Sequence, residues 1–179
     1  MRARPAPPYI SDIFPFPSRC AFARTAGAFF KKGRETMLYT PATKKAMKLC
    51  FAAHKDQVDK SGVPYVFHPF HLAEQMQDEQ TTVAALLHDV AEDSGYTLED
   101  LAAMGFDEAV INALRLLTHD KRVPYLEYVA RLRTDPIARA VKLADLRHNS
   151  DLSRLDAVDE KALRRVEKYA EAIRLLTGE

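Results

Sequence analysis

The segment ALLHDVAEDS, residues 85–94, decides the fold class of this chain. Its first half continues an apolar run with helical spacing that starts at Thr81, and its second half is strongly acidic. At about 100° per residue, four polar side chains share a helical face of roughly 140°: His88, Asp89, Glu92 and Asp93. The pattern predicts one continuous helix over 81–91 that is buried along most of its length and carries an imidazole and carboxylates at its end.

Other segments contain residues that are typical of helix starts and helix ends. Thr40 and Pro41 have the residue types of a helix start, and we expect that helix to end near 60–62, where Gly62 and Pro64 interrupt it. Thr97 can cap a further short helix. Apolar stripes at three- and four-residue steps predict later helices over 107–118, 123–133, 135–149 and 159–177. Since no period-2 run of β-branched residues occurs, the sequence predicts an all-α fold of roughly eight helices.

Composition excludes several classes of protein. The 179 residues are 47% hydrophobic and 28% charged, which is too apolar for a disordered chain. No apolar run approaches the roughly 18 residues of a membrane helix, and no basic stripe suggests nucleic acid as a partner. The two cysteines form no CxxC pair, which favours a reducing, cytoplasmic location.

The first 36 residues differ from the rest. They contain seven basic and two acidic side chains, and five prolines fall within the first seventeen positions. Such a stretch cannot form a continuous helix, so we predict an irregular N-terminal arm over 1–36 and a single domain over 37–179. Two other interpretations stay open: a targeting peptide, or an upstream stretch that is not translated if Met37 is the true start.

The acidic helix end suggests a metal site. Burying uncompensated carboxylates costs several kcal/mol each, and a divalent cation would remove that cost. Two more segments each contribute one potential metal ligand among apolar residues. These are KSGVPYVFHPF (60–70), with His68, and VKLADLRHNSD (141–151), with Asp145. Two imidazoles and two carboxylates could then surround one ion: His68, His88, Asp89 and Asp145. Mixed nitrogen and oxygen ligands suit Mn(II), Fe(II) or Zn(II) better than Ca(II). The alternative is a solvated helix end.

The same segments offer partners for catalysis by such an ion. Glu92 lies one turn from His88 and Asp93 one turn from Asp89, so either carboxylate could orient or deprotonate a bound water. Three cations near these motifs could bind phosphate oxygens: Lys60, Lys142 and Arg147. Lys142 and Arg147 could equally be solvated helix residues.

Three segments together resemble the HD superfamily of metal-dependent phosphohydrolases, and in particular small stand-alone RelA/SpoT-type hydrolases of ppGpp: AAHKDQVDKSGVPYVFHP (52–69), ALLHDVAEDS (85–94) and VKLADLRHNS (141–150). The resemblance implies an HD-domain helical bundle with Mn(II) held by His68, His88, Asp89 and Asp145. It also implies that Glu92 and Asp93 position water, and that the nucleotide is contacted by Lys60, Ser61 and Asn149.

Some positions depart from the family pattern. The family carries an arginine that stacks on guanine where this chain has Asp59, and a glutamate where it has Val63. We therefore expect Asp59→Arg to tighten ppGpp binding. Two alternatives stay open: a phosphohydrolase of another nucleotide or phosphoester, and a non-catalytic module that binds metal or nucleotide. The presence of Glu92 and Asp93 argues against the second. The sequence does not indicate the oligomeric state.

Overall fold

The computed structural model describes residues 37–178, and all of its regular structure is helical. The predicted arm over 1–36 lies outside these residues. Nine α-helices and two short 3-10 helices, at Leu132–Thr134 and Leu152–Arg154, occur in the described part. The α-helices are α1 (Pro41–His54), α2 (Phe67–Glu74), α3 (Glu79–Leu87), α4 (Val90–Asp93), α5 (Leu98–Ala103), α6 (Glu108–Leu117), α7 (Tyr125–Arg131), α8 (Pro136–Ser150) and α9 (Glu160–Thr177). The all-α prediction is confirmed.

The two helix starts predicted from caps, at Thr40 and Thr97, are correct because they depend on local side-chain hydrogen bonds. Thr40 and Thr43 form a capping box at the start of α1, and Pro41 occupies its first turn. Thr97 and Asp100 do the same for α5. Each cap satisfies backbone N–H groups that have no partner inside the helix, which stabilises the helix by about 1 kcal/mol.

Two predicted helix boundaries are wrong. The first helix ends at His54 and not near 60–62, because the chain turns tightly there and the Gln57 N–H donates to the His54 carbonyl. The helix predicted over 81–91 is instead two helices, α3 and α4, with a break at His88–Asp89. Asp89, at φ −96° and ψ −7°, marks this break, which lies in the acidic segment itself.

Helix α3 forms the centre of the fold. Every residue from Thr81 to Leu87 is buried, and the helix packs against α1, α2, α6 and α8. Burial of a leucine such as Leu86 or Leu87, both fully inaccessible, contributes about 1.5–3 kcal/mol. Because α3 is covered all round, its C-terminal end delivers His88 and Asp89 into the interior of the bundle.

Helix α9 closes the bundle by packing on α7 and α8. Between α1 and α2 the chain makes a loop over 57–65, whose ends are joined by a bond from the Tyr65 N–H to the Gln57 carbonyl. Gly62 has φ +77°, a left-handed value that favours glycine at the tip of this loop. No helix in the described part of the chain is both long and apolar enough to cross a membrane.

Candidate metal centre and substrate cleft

The four side chains predicted as metal ligands meet inside the bundle. His68 lies near the start of α2, His88 and Asp89 lie in the break between α3 and α4, and Asp145 lies in the middle of α8. The ligand atoms of His68, His88 and Asp145, all buried residues, lie within 4.8 Å of one another. The structure therefore brings together residues that are up to 77 positions apart, and their role as ligands stays a prediction.

The distances in this cluster suit one divalent ion. His68 Nε2 lies 3.3 Å from Asp145 Oδ1 and 3.9 Å from Asp89 Oδ2, and His88 Nε2 lies 2.9 Å from Asp89 Oδ2. Ligand atoms at about 2.1 Å from a common ion are separated by about 3–4 Å, which matches these values. The donor set of two imidazoles and two carboxylates therefore fits a first-row divalent metal.

A second observation agrees with that fit. His88 Nε2 is buried and lies 2.9 Å from Asp89 Oδ2, but it has no well-oriented hydrogen bond to any described residue. Its other ring nitrogen, Nδ1, lies 2.8 Å from the carbonyl oxygen of Ala85 and can donate to it. That bond leaves the lone pair on Nε2, which is the arrangement of a metal-binding histidine.

The charges of the cluster are strongly coupled. Burial alone would lower the pKa of His88, but the charge of Asp89 raises that pKa to about 9. Burial opposes ionisation of Asp89 as well, and His88 nevertheless holds the pKa of its carboxyl at about 2. A bound cation would replace the proton on His88 as the partner of this carboxylate.

Asp145 is held by neighbours on its own helix. The Lys142 ammonium donates to Asp145 Oδ2 at 2.8 Å, and the Asn149 amide donates to Oδ1. Burial would raise the pKa of Asp145, but Lys142 and the two histidines hold it far below its usual range. Lys142 is thus neither a solvated residue nor free for phosphate, whereas Arg147 is exposed. Tyr65 similarly donates to Asp89 at 2.5 Å.

Glu92 and Asp93 project from α4, just after the ligand pair. Both side chains are exposed, and the Asp93 N–H donates to the Asp89 carbonyl at 2.8 Å. Burial and the charge of Asp89 raise the pKa of both carboxyls. The Gln57 amide donates to the Asp93 carbonyl at 2.9 Å, so the loop over 57–65 also supports this helix. The acidic pair is therefore placed at the solvent side of the cluster.

A cavity of about 370 Å³ opens next to His68. Its walls combine three cations with two tyrosines and several polar groups: Val58, Asp59, Lys60, Tyr65, His68, Asn149, Asp151, Arg154, Leu155, Arg165 and Tyr169. Burial and the nearby cations of Arg165 and Lys161 lower the pKa of Lys60, against the opposing charge of Asp159. Such walls suit a ligand with both an aromatic ring and phosphate groups.

Of the three residues predicted to contact the nucleotide, two line this cavity and one does not. Lys60 and Asn149 line it, whereas Ser61 points elsewhere and donates through its hydroxyl to the Arg154 carbonyl at 2.8 Å. Ser61 also borders a neighbouring cavity with Lys60 and Arg165. Lys60, Ser61 and Asn149 thus lie around the same opening at the protein surface. Their contacts with substrate stay a prediction.

Three residues that line the cavity were not predicted from the sequence, because they lie outside the three motif segments: Arg154, Arg165 and Tyr169. Asp59 stands where the family has an arginine. Its carboxylate accepts the N–H groups of Ser61 and Val63 at 2.9 and 3.0 Å and pairs with Arg154 at 3.3 Å. Arg165 and Tyr169 are four residues apart on α9, a spacing that could have indicated a shared face.

Comparison with known proteins gives a consistent result. No family model matches the chain. A probable GTP pyrophosphokinase of Mycobacterium leprae is 33% identical over 142 residues, which is 72% of this chain but 18% of that protein. Mouse guanosine-3′,5′-bis(diphosphate) 3′-pyrophosphohydrolase MESH1 is 35% identical over 120 residues, covering 58% of this chain and 66% of the relative. Escherichia coli SpoT, a bifunctional (p)ppGpp synthase/hydrolase, is 34% identical over 112 residues, or 54% and 16% of the two chains.

The chain thus spans less than a fifth of the length of the long relatives that it matches. The solved structure of a metazoan SpoT orthologue that hydrolyses ppGpp superposes with a TM-score of 0.65 and 24% identity, over 79% of this chain and 88% of the other. This likeness shows that the two proteins share their helical fold. The chain is therefore a homologue of the ppGpp pyrophosphohydrolases of the SpoT and MESH1 type.

Proposed function

We propose that this protein is a metal-dependent hydrolase that converts ppGpp and water to GDP and pyrophosphate. The observation that carries the proposal is the position of His68, which belongs both to the ligand cluster and to the wall of the cationic cavity. A phosphate group held by that cavity would therefore lie against the cluster. The activities by which the homologues MESH1 and SpoT are named support the same substrate.

We propose Mn(II) as the metal, with His68, His88, Asp89 and Asp145 as its ligands. When bound, such an ion supplies positive charge to a phosphoryl oxygen and lowers the pKa of a coordinated water. Lys142, Asn149 and Tyr65 hold the two carboxylates in place through the hydrogen bonds described above. A rigid ligand set of this kind keeps the ion in one position relative to the cavity.

The reaction adds a water oxygen to the phosphorus that is bonded to O3′, and the bond between that phosphorus and O3′ breaks. Glu92 and Asp93 orient this water and accept its proton, since both carboxylates stand beside the cluster at its solvent side. O3′ leaves with a proton and remains on GDP, while the two phosphates depart as pyrophosphate. Exposed positions allow both carboxylates to exchange protons with solvent.

The cavity would bind the rest of the nucleotide. Lys60 and Arg165 provide cations for the phosphates, whereas Arg154 is already paired with Asp59. Tyr65 and Tyr169 provide aromatic surface for the base. Asn149 and Ser61 lie at the same opening and can contact sugar and phosphate oxygens. We propose the cytoplasm as the location of the enzyme, since its two cysteines form no CxxC pair.

A panel of substrates tests this proposal. The purified protein with Mn(II) should release pyrophosphate from ppGpp, and much less product from GTP, GDP or a generic phosphoester. A chelator should abolish turnover, and added Mn(II) should restore it. If the protein binds Mn(II) but hydrolyses none of these compounds, it is a non-catalytic binding module.

One observation favours a second candidate, a hydrolase of another nucleotide with a 3′-phosphate group. Asp59 is occupied by the loop and by Arg154, so the stacking arginine of the family has no direct counterpart at that position. A guanidinium in a different place can stack on any purine. The adenine counterpart of ppGpp, added to the panel, tests this candidate, and turnover equal to that of ppGpp would select it.

A further inference from the structure

The side chain of His148 makes a contact that the proposed mechanism does not use. Its Nδ1 lies 2.6 Å from the Nδ1 of His68, and the two ring planes differ by only 12°. The centroids are 4.8 Å apart, close to the nitrogen–nitrogen distance plus the two ring radii. The two nitrogens therefore lie nearly on the line between the ring centres, and the rings meet edge to edge in one plane. This is the geometry of a hydrogen bond between imidazoles.

Such a bond has a direction, because one nitrogen must carry the proton and the other the lone pair. Nε2 of His68 points toward the carboxylates of Asp89 and Asp145, at 3.9 and 3.3 Å. If Nε2 binds the metal, its lone pair must be free, and the proton of the neutral ring sits on Nδ1. His68 is then the donor and His148 Nδ1 the acceptor.

We infer that His148 is a positioning residue for the metal: it accepts the Nδ1 proton of His68 and thereby fixes both the tautomer and the plane of that ligand. This inference rests on the proposed metal site. It gives α8 two tasks, since Asp145 supplies a ligand and His148, three residues later, orients another.

The surroundings of His148 hold its ring in place. Arg154 donates to the His148 carbonyl at 3.1 Å, which ties the end of α8 to the following 3-10 helix. The ring of His71 packs against the ring of His148 with centroids 4.4 Å apart, but its side chain is exposed. His71 therefore offers a matched control, because it is an imidazole in the same group of rings that makes no hydrogen bond to a ligand among the described residues.

The experiment measures Mn(II) affinity by calorimetry for the wild type and three variants. His148→Leu removes the acceptor, and we expect Mn(II) to bind about 10–100-fold more weakly, the usual effect of losing such a partner. His148→Gln keeps an acceptor oxygen and should recover most of the affinity. His71→Leu should bind as the wild type does. Thermal unfolding of each variant establishes that it is folded.

Wild-type affinity in His148→Leu, or equal losses in His148→Leu and His71→Leu, would overturn the inference. A wild type that binds no Mn(II) would instead refute the proposed metal site. Nitrogen-15 NMR of the histidine rings in the full protein loaded with diamagnetic Zn(II) provides a readout that does not depend on variants. It should show His68 protonated on Nδ1, and protonation on Nε2 would contradict the inference even if the leucine variant does not fold.

Discussion

The contacts of Asp59 reverse an expectation drawn from the sequence, namely that Asp59→Arg tightens ppGpp binding. The carboxylate accepts two backbone N–H groups of its loop, from Ser61 and Val63, and pairs with Arg154. Arginine at this position cannot accept those N–H groups, and the loss of each bond costs about 1 kcal/mol. The new guanidinium also faces the one on Arg154, which at about 5 Å and an effective dielectric constant of about 20 costs roughly 3 kcal/mol.

The two lost bonds order the loop that carries Lys60, so binding must restore that order, and the repulsion applies only when the new guanidinium turns toward the base. In the bound state these costs together exceed the possible gain. Stacking of a guanidinium on a base contributes about 0.5–2 kcal/mol, less than half of the combined cost. The new side chain can avoid Arg154 by turning into solvent, but then it does not stack on the base. We therefore expect Asp59→Arg to weaken ppGpp binding by at least about tenfold, which corresponds to about 1.4 kcal/mol.

The assay is calorimetric titration of ppGpp with Mn(II) present, in a Glu92→Ala background that prevents turnover. Asp56→Arg is the matched control, because Asp56 is an exposed aspartate three residues earlier that pairs only loosely with Lys55, at 3.7 Å. It makes the same change in net charge without touching the loop. Tighter binding by Asp59→Arg alone would refute this reasoning, whereas tightening by both variants would indicate a general effect of charge.

Three further predictions concern the cluster. Asp145→Ala should abolish Mn(II) binding in calorimetry, since it removes a ligand and the partner of Lys142. Glu92→Ala should keep Mn(II) affinity and lower kcat by at least about 100-fold. Glu99→Ala changes an exposed glutamate outside the cluster and should keep the wild-type kcat. Loss of Mn(II) binding in Glu92→Ala would contradict the assigned roles. Lys142→Met removes the lysine partner of the buried Asp145 carboxylate, which then keeps only Asn149 and the histidines. It should lower unfolding stability by about 3 kcal/mol without Mn(II), and Mn(II) should restore part of the loss. An unchanged melting temperature would show that the ion pair contributes nothing.

The predictions that hold for the fold depend on short-range chemistry. The start of α1 is set by Thr40, Pro41 and Thr43, and that of α5 by Thr97 and Asp100, all within a few residues of each other. The break at His88–Asp89 could not be predicted in this way. Apolar spacing continues across it, and the turn at Asp89 accompanies contacts with Tyr65 and His68, which lie more than twenty positions earlier.

The residues that line the cavity were predicted less completely than those that meet in the candidate ligand cluster. Asp59 and Arg154 are 95 residues apart, so their pairing depends on how the 3-10 helix after α8 docks on the loop between α1 and α2. Nothing in either segment alone indicates it. Arg165 and Tyr169 reach the cavity only because α9 packs on α8.

The residue types along the chain were enough to predict the all-α class, the capped helix starts and a candidate metal cluster, because helix caps, apolar periodicity and the need to compensate buried carboxylates are encoded within single segments. Which side chains face one another was set by the tertiary structure. It neutralised Asp59 with Arg154, placed Arg165 and Tyr169 at the cavity, and set His148 against His68. The reason is physical: each of these contacts joins elements that are distant in the chain, and their geometry is fixed by the packing of the whole bundle around α3.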